Sequence, residues 1–298
     1  MEPPQIAEAP GVMRTTGWAD YALLDSGGGR KLERYGSYAV VRPEPQALWT
    51  PRLAAARWEA ADAVFDPTDE EDAGRWRFRE RPKESWPLQW GEVRFNGRFT
   101  AFRHLAFFPE QAANWAWLDQ QVRGLDGQPR VLNLFGYTGV ASLVMAAAGA
   151  AVTHVDASKK AVAWARENAE LSGLSERPIR WIVEDARRYV QREARRGSQY
   201  EGIILDPPKY GRGPGGEVWR LFEDLPELAG LCASLLSEKA SFLILNAYAE
   251  RISGAALAGL LAEKLADRGG RIDWGELALV AEAGDRAVGM SFYARWSP

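Results

Sequence analysis

Gly136 and Gly139, in Phe135-Gly136-Tyr137-Thr138-Gly139, follow an apolar run that reads as a buried strand and includes Asn133. Glycines there let the chain turn sharply and let a ligand approach main-chain N–H groups at a helix start. Asp156 stands at the end of a second apolar run, in Asp156-Ala157-Ser158. A carboxylate at that strand end accepts hydrogen bonds from two vicinal ribose hydroxyls. Asp156 and Ser158 both precede a predicted helix, so capping is the competing role. A third run ends at Glu184-Asp185-Ala186, where a carboxylate can accept from the amino group of an adenine. A fourth ends at Asp206-Pro207-Pro208-Lys209-Tyr210-Gly211. Two prolines fix φ and restrict their neighbours, so the chain leaves the strand rigidly extended. That rigidity aims the Asp206 carboxylate and the backbone carbonyls at one point, as a displacement governed by alignment demands. The Gly-rich continuation over 211–216 reads as a mobile substrate loop, with Arg212 a phosphate or carboxylate contact or a plain solvated arginine.

Such residues need strands to deliver them and helices to start beside them. The pattern predicts a helix over 111–122, a strand over 131–135 and a helix over 140–148 stopped by Gly149. A strand over 151–156 follows, then a helix to Leu171 with Ser158 as N-cap and Gly173 as its stop. Strands over 180–183, 202–205 and 241–246 continue the alternation, which implies parallel β-α-β units with right-handed crossovers. Open α/β sheets bind ligands at the carboxyl ends of their strands, near the topological switch point. Segments 272–280 and 286–296 are joined by a short loop holding Gly284-Asp285, so they should pair antiparallel. The expected fold is α/β: a Rossmann-like seven-stranded, mostly parallel sheet with a C-terminal antiparallel hairpin over residues 109–298. A smaller β-rich N-terminal domain over 1–108 precedes it, with substrate recognition as its expected role.

In that smaller domain the stretch to Pro10 is rich in Pro and Ala and reads as a loose terminus. Tyr21-Ala22-Leu23-Leu24-Asp25 and Tyr38-Ala39-Val40-Val41 read as strands flanking the turn residues Gly27-Gly28-Gly29. The acidic run over 59–72 (Glu59, Asp62, Asp66, Asp69, Glu70, Glu71, Asp72) reads as a solvated loop or face. Residues 86–99 read as a hairpin with Asn96-Gly97 at its turn. Between Arg75 and Arg103 eight basic residues face three acidic ones, an excess of +5 (8 − 3), interleaved with aromatics. That mixture suits a surface gripping phosphates and stacking unpaired bases. Arg75-Trp76-Arg77-Phe78-Arg79 also has a strand's period of two, which would put core aromatics and exposed arginines on opposite faces.

A chain of 298 residues has room for two domains, and 46% hydrophobic with 26% charged residues is ordinary globular composition. No stretch approaches the ~18 apolar residues of a membrane-spanning helix. Met1-Glu2-Pro3-Pro4 lacks the basic start of a secretory signal. A single cysteine, Cys232, excludes an intrachain disulfide and suits a reducing cytoplasm, the expected location. With two histidines besides, there is little material for a structural zinc site, and no metal is expected. The net charge of −3 argues against indiscriminate binding to nucleic acid and leaves room for a local basic face.

From about Phe107 onward the chain resembles the bacterial class I 23S rRNA large-subunit methyltransferases whose fourth motif reads Asp-Pro-Pro-Lys. The matching pieces are Asn133 through Gly139, His154-Val155-Asp156-Ala157-Ser158, Glu184-Asp185-Ala186 and Asp206-Pro207-Pro208-Lys209. Phe108-Pro109-Glu110-Gln111-Ala112-Ala113-Asn114-Trp115 matches in part a further segment of that family, without its two arginines. The resemblance implies an S-adenosylmethionine (SAM)-dependent methyltransferase acting on RNA. It implies SAM contacts from Gln111, Asn133, Phe135, Gly136, Tyr137, Thr138, Gly139, Asp156, Ala157, Ser158, Asp185, Ala186 and Asp206. Asp206, Pro207, Pro208 and Lys209 would form the transfer site, with Lys209, Tyr210 and Arg212 towards the substrate. Members that methylate cytosine C5 carry a cysteine at the end of the fifth strand; here that place reads Leu245-Asn246-Ala247-Tyr248. Cys232 falls instead in an apolar helix, so direct attack by a substrate nitrogen or oxygen is expected. The family's usual N-terminal RNA-binding module is not recognisable. A methyltransferase for a small molecule or protein therefore stays open, as does a cofactor-binding protein without catalysis. A nicotinamide-dependent dehydrogenase fits the glycine turn less well, since Ala141 stands near the place of its third glycine, and the Pro-Pro segment opposes it.

Overall fold

The computed structural model describes residues 3–68, 74–248, 251–282, 284 and 286–298. Asp69, Glu70, Glu71, Asp72 and Asp285 lie outside them. Two compact units emerge, one of Met1–Met13, Asn114–Glu276 and Ser291–Pro298, the other of Arg14–Ala113 and Leu277–Met290. The division is thus not a single cut near residue 108. β1 (Gln5–Ile6) lies where a loose terminus was expected, and β2 (Gly11–Thr15) follows it.

In the smaller unit β3 (Tyr21–Gly27), β4 (Arg30–Tyr35) and β5 (Tyr38–Pro43) form an antiparallel meander. A short helix α1 (Ala55–Glu59) leads to β6 (Ala63–Pro67), which pairs parallel with β5 and antiparallel with β7 (Gly74–Phe78). The acidic run is therefore partly strand: Ala63 and Phe65 turn inward while Asp66 stays exposed and pairs with Arg77 at 2.8 Å. β8 (Trp86–Trp90) and β9 (Val93–Gly97) make the expected hairpin, but its turn is Gly91-Glu92. Gly91 supplies the positive φ of 54° that the tight turn needs. Asn96-Gly97 instead ends β9, where a Cβ on Gly97 would sit 2.7 Å from the Trp86 indole. Packing against Trp86 accounts for that glycine.

On β7, Arg75 and Arg77 are exposed as the period of two predicts, but the aromatics are not core: Trp76 is half-buried and Phe78 is exposed. Trp76 packs edge-on against Phe65 and Phe99, with centroids 5.1 and 4.9 Å away. Beneath the meander lies a buried ionic cluster. Glu33 receives Arg42 at 2.7 Å and the hydroxyls of Tyr21 and Tyr35 at 2.9 and 3.0 Å. Burial alone would raise the Glu33 carboxyl; Arg42 and Lys31 outweigh it and hold it at about 2.

The larger unit follows the α/β alternation. A 3-10 turn in the smaller unit, Pro109–Gln111, precedes α2 (Ala112–Arg123). Then come β10 (Arg130–Leu134), α3 (Val140–Ala147), β11 (Ala151–Asp156), α4 (Lys159–Leu171), β12 (Ile179–Val183) and α5 (Ala186–Arg195). β13 (Gly202–Leu205) leads into a small antiparallel hairpin, β14 (Tyr210–Arg212) with β15 (Val218–Arg220). α6 (Leu221–Ser234), β16 (Phe242–Ala247), α7 (Gly254–Lys264), β17 (Arg271–Val280) and β18 (Ala287–Ser297) complete it.

The main sheet runs β1-β17-β18-β16-β13-β10-β11-β12, with β2 also on β17. It has nine strands among the described residues, two more than expected, because the N-terminal strands add at the β17 edge. β16, β13, β10, β11 and β12 are parallel and β18 is antiparallel to β16. From β10 the chain winds outward through β11 and β12, then returns to β10's other side with β13. The switch point therefore lies between β10 and β13, where their carboxyl ends open a crevice.

The central strands are buried on both faces, which explains their unbroken apolar runs. Leu132, Leu134, Ile203, Leu205, Leu243 and Leu245 face one core with α5, α6 and α7. Val131, Val152, Ile204, Phe242 and Ile244 face the other with Leu118 and Val122 of α2 and Met145 of α3. Each such side chain contributes roughly 1.5–3 kcal/mol on burial.

Candidate active site

The turn between β10 and α3 is set by close packing and unusual backbone. Phe135 and Tyr137 have φ of 56° and 47°, a region that costs a non-glycine residue roughly 1–3 kcal/mol. Hydrogen bonds hold them there. The Gly136 N–H donates to the Val155 carbonyl at 3.0 Å, and the Tyr137 N–H donates to Asp156 Oδ2 at 2.8 Å. Gly136 admits no side chain, since a Cβ would lie 2.5 Å from the His154 ring. Gly139, at φ 82°, opens α3. Thr138 is buried, and its carbonyl accepts from Asn168 Nδ2 at 2.9 Å.

Asp156 ends β11 and binds the turns on both sides. Its second oxygen accepts from the Ser158 N–H at 2.8 Å, while Ser158 itself caps α4 by accepting from the Ala161 N–H at 3.2 Å. The cap is therefore Ser158, and Asp156 is spent on fixing the glycine turn. Burial raises its carboxyl above the usual carboxylate range, and the two N–H bonds partly offset that rise. Each oxygen keeps a further lone pair for another donor.

Asn133 is occupied inside the fold. Its Nδ2 donates to Ser142 Oγ at 2.8 Å, and Ser142 contacts His154 Nδ1 at 3.0 Å. Burial lowers His154 to about 3, so the ring is neutral at physiological pH. Asp185 is the N-cap of α5, accepting from the Arg188 N–H at 3.0 Å through Oδ1, which leaves Oδ2 for another donor. Ala186 begins that helix beside it. Glu184 is held by Arg192 at 2.6 Å.

Asp206-Pro207-Pro208-Lys209 leaves β13 immediately beside the Phe135 turn, as the Leu134↔Leu205 register requires. Two of its carbonyls are engaged in the fold. Pro208 O accepts from the Trp219 indole at 2.7 Å and Lys209 O from the Leu221 N–H at 3.0 Å. Trp219 also packs its ring on Phe135, centroids 5.0 Å apart, so one side chain joins the glycine turn to the proline segment. The expectation that the motif's carbonyls point together at the site is corrected accordingly: Pro208 and Lys209 serve the β15–α6 junction. Lys209, Tyr210 and Arg212 are exposed. The expected loop over 211–216 is instead the connection of the β14–β15 hairpin, braced by Glu217. Its carboxylate accepts from the Gly215 N–H at 2.8 Å and pairs with Arg188.

The site residues Asn133 to Gly139, Asp156 to Ser158, Asp185, Ala186 and Asp206 to Lys209 thus fall at the carboxyl ends of four neighbouring strands. Gln111 is buried in the 3-10 turn and belongs to the smaller unit. Residues that sequence pattern passed over are Ser142, His154, Asn168 and Trp219. Of these only His154 carried a signal, by lying within a family-like segment. Cys232 is fully buried in α6, and burial pushes its thiol up. Among the described residues there is no cluster of three metal-ligating side chains, and no helix is long and apolar enough to cross a membrane.

The polar residues of this doubly wound parallel sheet gather at its switch point, the place where open α/β sheets bind their ligands. Residues 111–224 match the family model described as "Conserved hypothetical protein 95". Ribosomal RNA large subunit methyltransferase K/L of Shewanella sp. (strain ANA-3) is 31% identical over 173 residues, 57% of this chain and 24% of that protein. The chain thus spans about a quarter of the length of this curated relative. The crystal structure of a SAM-dependent methyltransferase from Agrobacterium tumefaciens superposes with a TM-score of 0.95 at 50% identity, covering 100% of this chain and 96% of that one. SMU.776, described as a candidate methyltransferase and solved with SAH, shares the fold at a TM-score of 0.73 and 17% identity, over 94% of this chain and 76% of its own. The chain belongs to the SAM-dependent methyltransferases.

Proposed function

We propose that the protein methylates RNA, ribosomal RNA first, by direct transfer without a covalent bond between enzyme and substrate. The observation that carries the site assignment is the placement of Asp156 and Asp206-Pro207-Pro208 around the β10–β13 switch point. The donor set fits the cofactor. Asp156 keeps a lone pair on each oxygen for a ribose hydroxyl, and Asp185 Oδ2 with the Ala186 N–H suits the edge of an adenine. The main chain of 135–139 completes the cradle in this reading. When bound, SAM supplies an electrophilic methyl group on a sulfonium. Asp206 then orients the acceptor's lone pair in line with that methyl, and Pro207 and Pro208 keep it from drifting. Lys209, Tyr210 and Arg212 contact the substrate. The smaller unit serves substrate recognition, and the reaction belongs in the cytoplasm, where ribosomal RNA is made and modified.

RNA is supported by the relatives named as ribosomal RNA methyltransferases, one of them 31% identical over 173 residues. Absence of a covalent step is supported by the burial of Cys232 and by Asn246 at the end of β16. A small-molecule or protein acceptor is the second reading, favoured by the net charge of −3. The two are separated by incubating the protein with methyl-labelled SAM and an extract from a strain lacking its gene. Label in the RNA fraction is expected; label confined to protein or small molecules would overturn the RNA assignment.

A further inference from the structure

Across the sheet from the glycine turn, a second polar group lies at the carboxyl end of β16. Asn246 is 2% exposed and follows Leu245, which is in register with Leu205 of β13. The next residues, Asp206 and Asn246, therefore stand abreast, about one strand spacing of 4.8 Å apart. Alternation along β16 puts Asn246 on the same face as Ile244, the side covered by α2.

From α2, Asn114 Nδ2 donates to Asn246 Oδ1 at 2.9 Å. Asn114 Oδ1 in turn accepts from the Arg295 guanidinium, through Nε at 3.2 Å and through Nη2. Arg295 lies against the rings of Trp117 and Tyr293, its Cζ 4.8 and 4.7 Å from their centroids. The order of these contacts fixes the orientation of both amides. A guanidinium has no acceptor, so the Asn114 atom facing it must be the oxygen. The Asn114 nitrogen must then face Asn246, and the Asn246 atom facing that donor must be its oxygen. The Asn246 NH2 consequently points away from Asn114.

We propose that Asn246 is a specificity residue whose side-chain NH2 donates to a carbonyl oxygen or ring nitrogen of the methyl-accepting base. Asn114 and Arg295 are positioning residues that keep the amide from flipping. This rests on the RNA methyltransferase reading for the identity of the acceptor, and on the amide geometry for the role of Asn246. Beside Asp206, an acceptor able only to accept at this point is held by its own lone pair. An acceptor presenting an N–H there would leave two donors facing each other, which costs a buried pair more than it gains.

Two substitutions test the chain of orientations. N246D keeps an oxygen for Asn114 and removes the donor. N114D keeps an oxygen for Arg295 but turns the other atom into an acceptor, so Asn246 must flip and present its oxygen. Each variant is assayed with tritiated SAM on extract from the gene-deletion strain, separated into RNA, protein and small-molecule fractions, and its SAH affinity is measured by calorimetry. Both should raise the half-saturating acceptor level at least tenfold in whichever fraction the wild type labels, with SAH affinity within twofold. Wild-type half-saturation in N246D, or an equal loss of SAH affinity, overturns the proposal. If N246D does not fold, N114D decides by the same two readouts. Label appearing only outside RNA sinks the RNA reading while leaving the comparison of variants valid, and a wild type that labels nothing contradicts both.

Discussion

At the scale of single residues, the Asp156 carboxylate holds two turns and is the group assigned to the cofactor ribose in the reading proposed above. Its bonds to the Tyr137 and Ser158 N–H groups hold two turns, and its remaining lone pairs suit ribose hydroxyls. Hydrogen bonds to a charged group contribute about 1.5–3 kcal/mol. D156A should therefore weaken SAM binding by roughly 10- to 150-fold in calorimetry, and an unchanged dissociation constant would contradict the assignment. D206A should behave oppositely: turnover should fall at least ~100-fold, the range of a lost acid-base or orienting group, while SAM affinity holds within a few fold. Full activity in that variant removes Asp206 from the transfer step. Asp156, Ser158 and the glycines were legible because each follows an apolar run at a strand end. Ser142, His154 and Trp219 were not, because their partners are brought to them only by the fold. Asp185 was legible as a polar strand-end residue, but its capping of α5 depends on where the helix begins.

At the scale of elements, the proline segment is rigid for a reason beyond its prolines. Trp219 on β15 reaches back to Pro208 and packs on Phe135, so the hairpin splints the motif. W219F keeps an aromatic ring and loses the N–H donor. It should cost about 1 kcal/mol of stability and lower turnover without loss of SAH affinity; unchanged kinetics would show that the splint is idle. The glycine turn is equally constrained. Overpacking costs roughly 1–3 kcal/mol, so G136A should lower the urea midpoint as its Cβ meets His154. In the smaller unit the Glu33–Arg42 pair gives a pH signature. A carboxyl at about 2 when folded, against the ordinary 4.5, stabilises above pH 4.5 and loses that contribution as pH falls towards 2. The stability gap between wild type and E33Q should close through that window; a gap constant from pH 5 to 2 would show that the pair does not carry it. Period and apolar runs made β10, β11, β12, β13 and β16 legible nearly to the residue, but not the β14–β15 hairpin, which stands where a loop was expected. They misplaced the β8–β9 turn, because Asn96-Gly97 imitates a turn signal while its glycine exists to fit Trp86.

Taken as a whole molecule, the chain gathers the strand-end carboxylates Asp156, Asp185 and Asp206 on one doubly wound sheet and returns a late segment, 277–290, to the smaller unit. The bridge between Leu23 and Ala281 belongs to that return. No local pattern announces such a pairing, which is why the sequence suggests a simple division in two. Nor does local pattern reveal the two strands that β1 and β2 add to the sheet, since both are short and β1 arises in a Pro- and Ala-rich stretch. The net charge of −3 means that any grip on RNA must be local, so binding should weaken less steeply with salt than that of a strongly basic protein. The most direct measurement is nucleoside mass mapping of ribosomal RNA from a strain lacking the gene, before and after incubation with the purified protein and SAM. One nucleoside should gain a methyl group on nitrogen or oxygen, with no gain for D206A. RNA that stays unmethylated while another fraction of the same cells accepts the label would contradict the assignment.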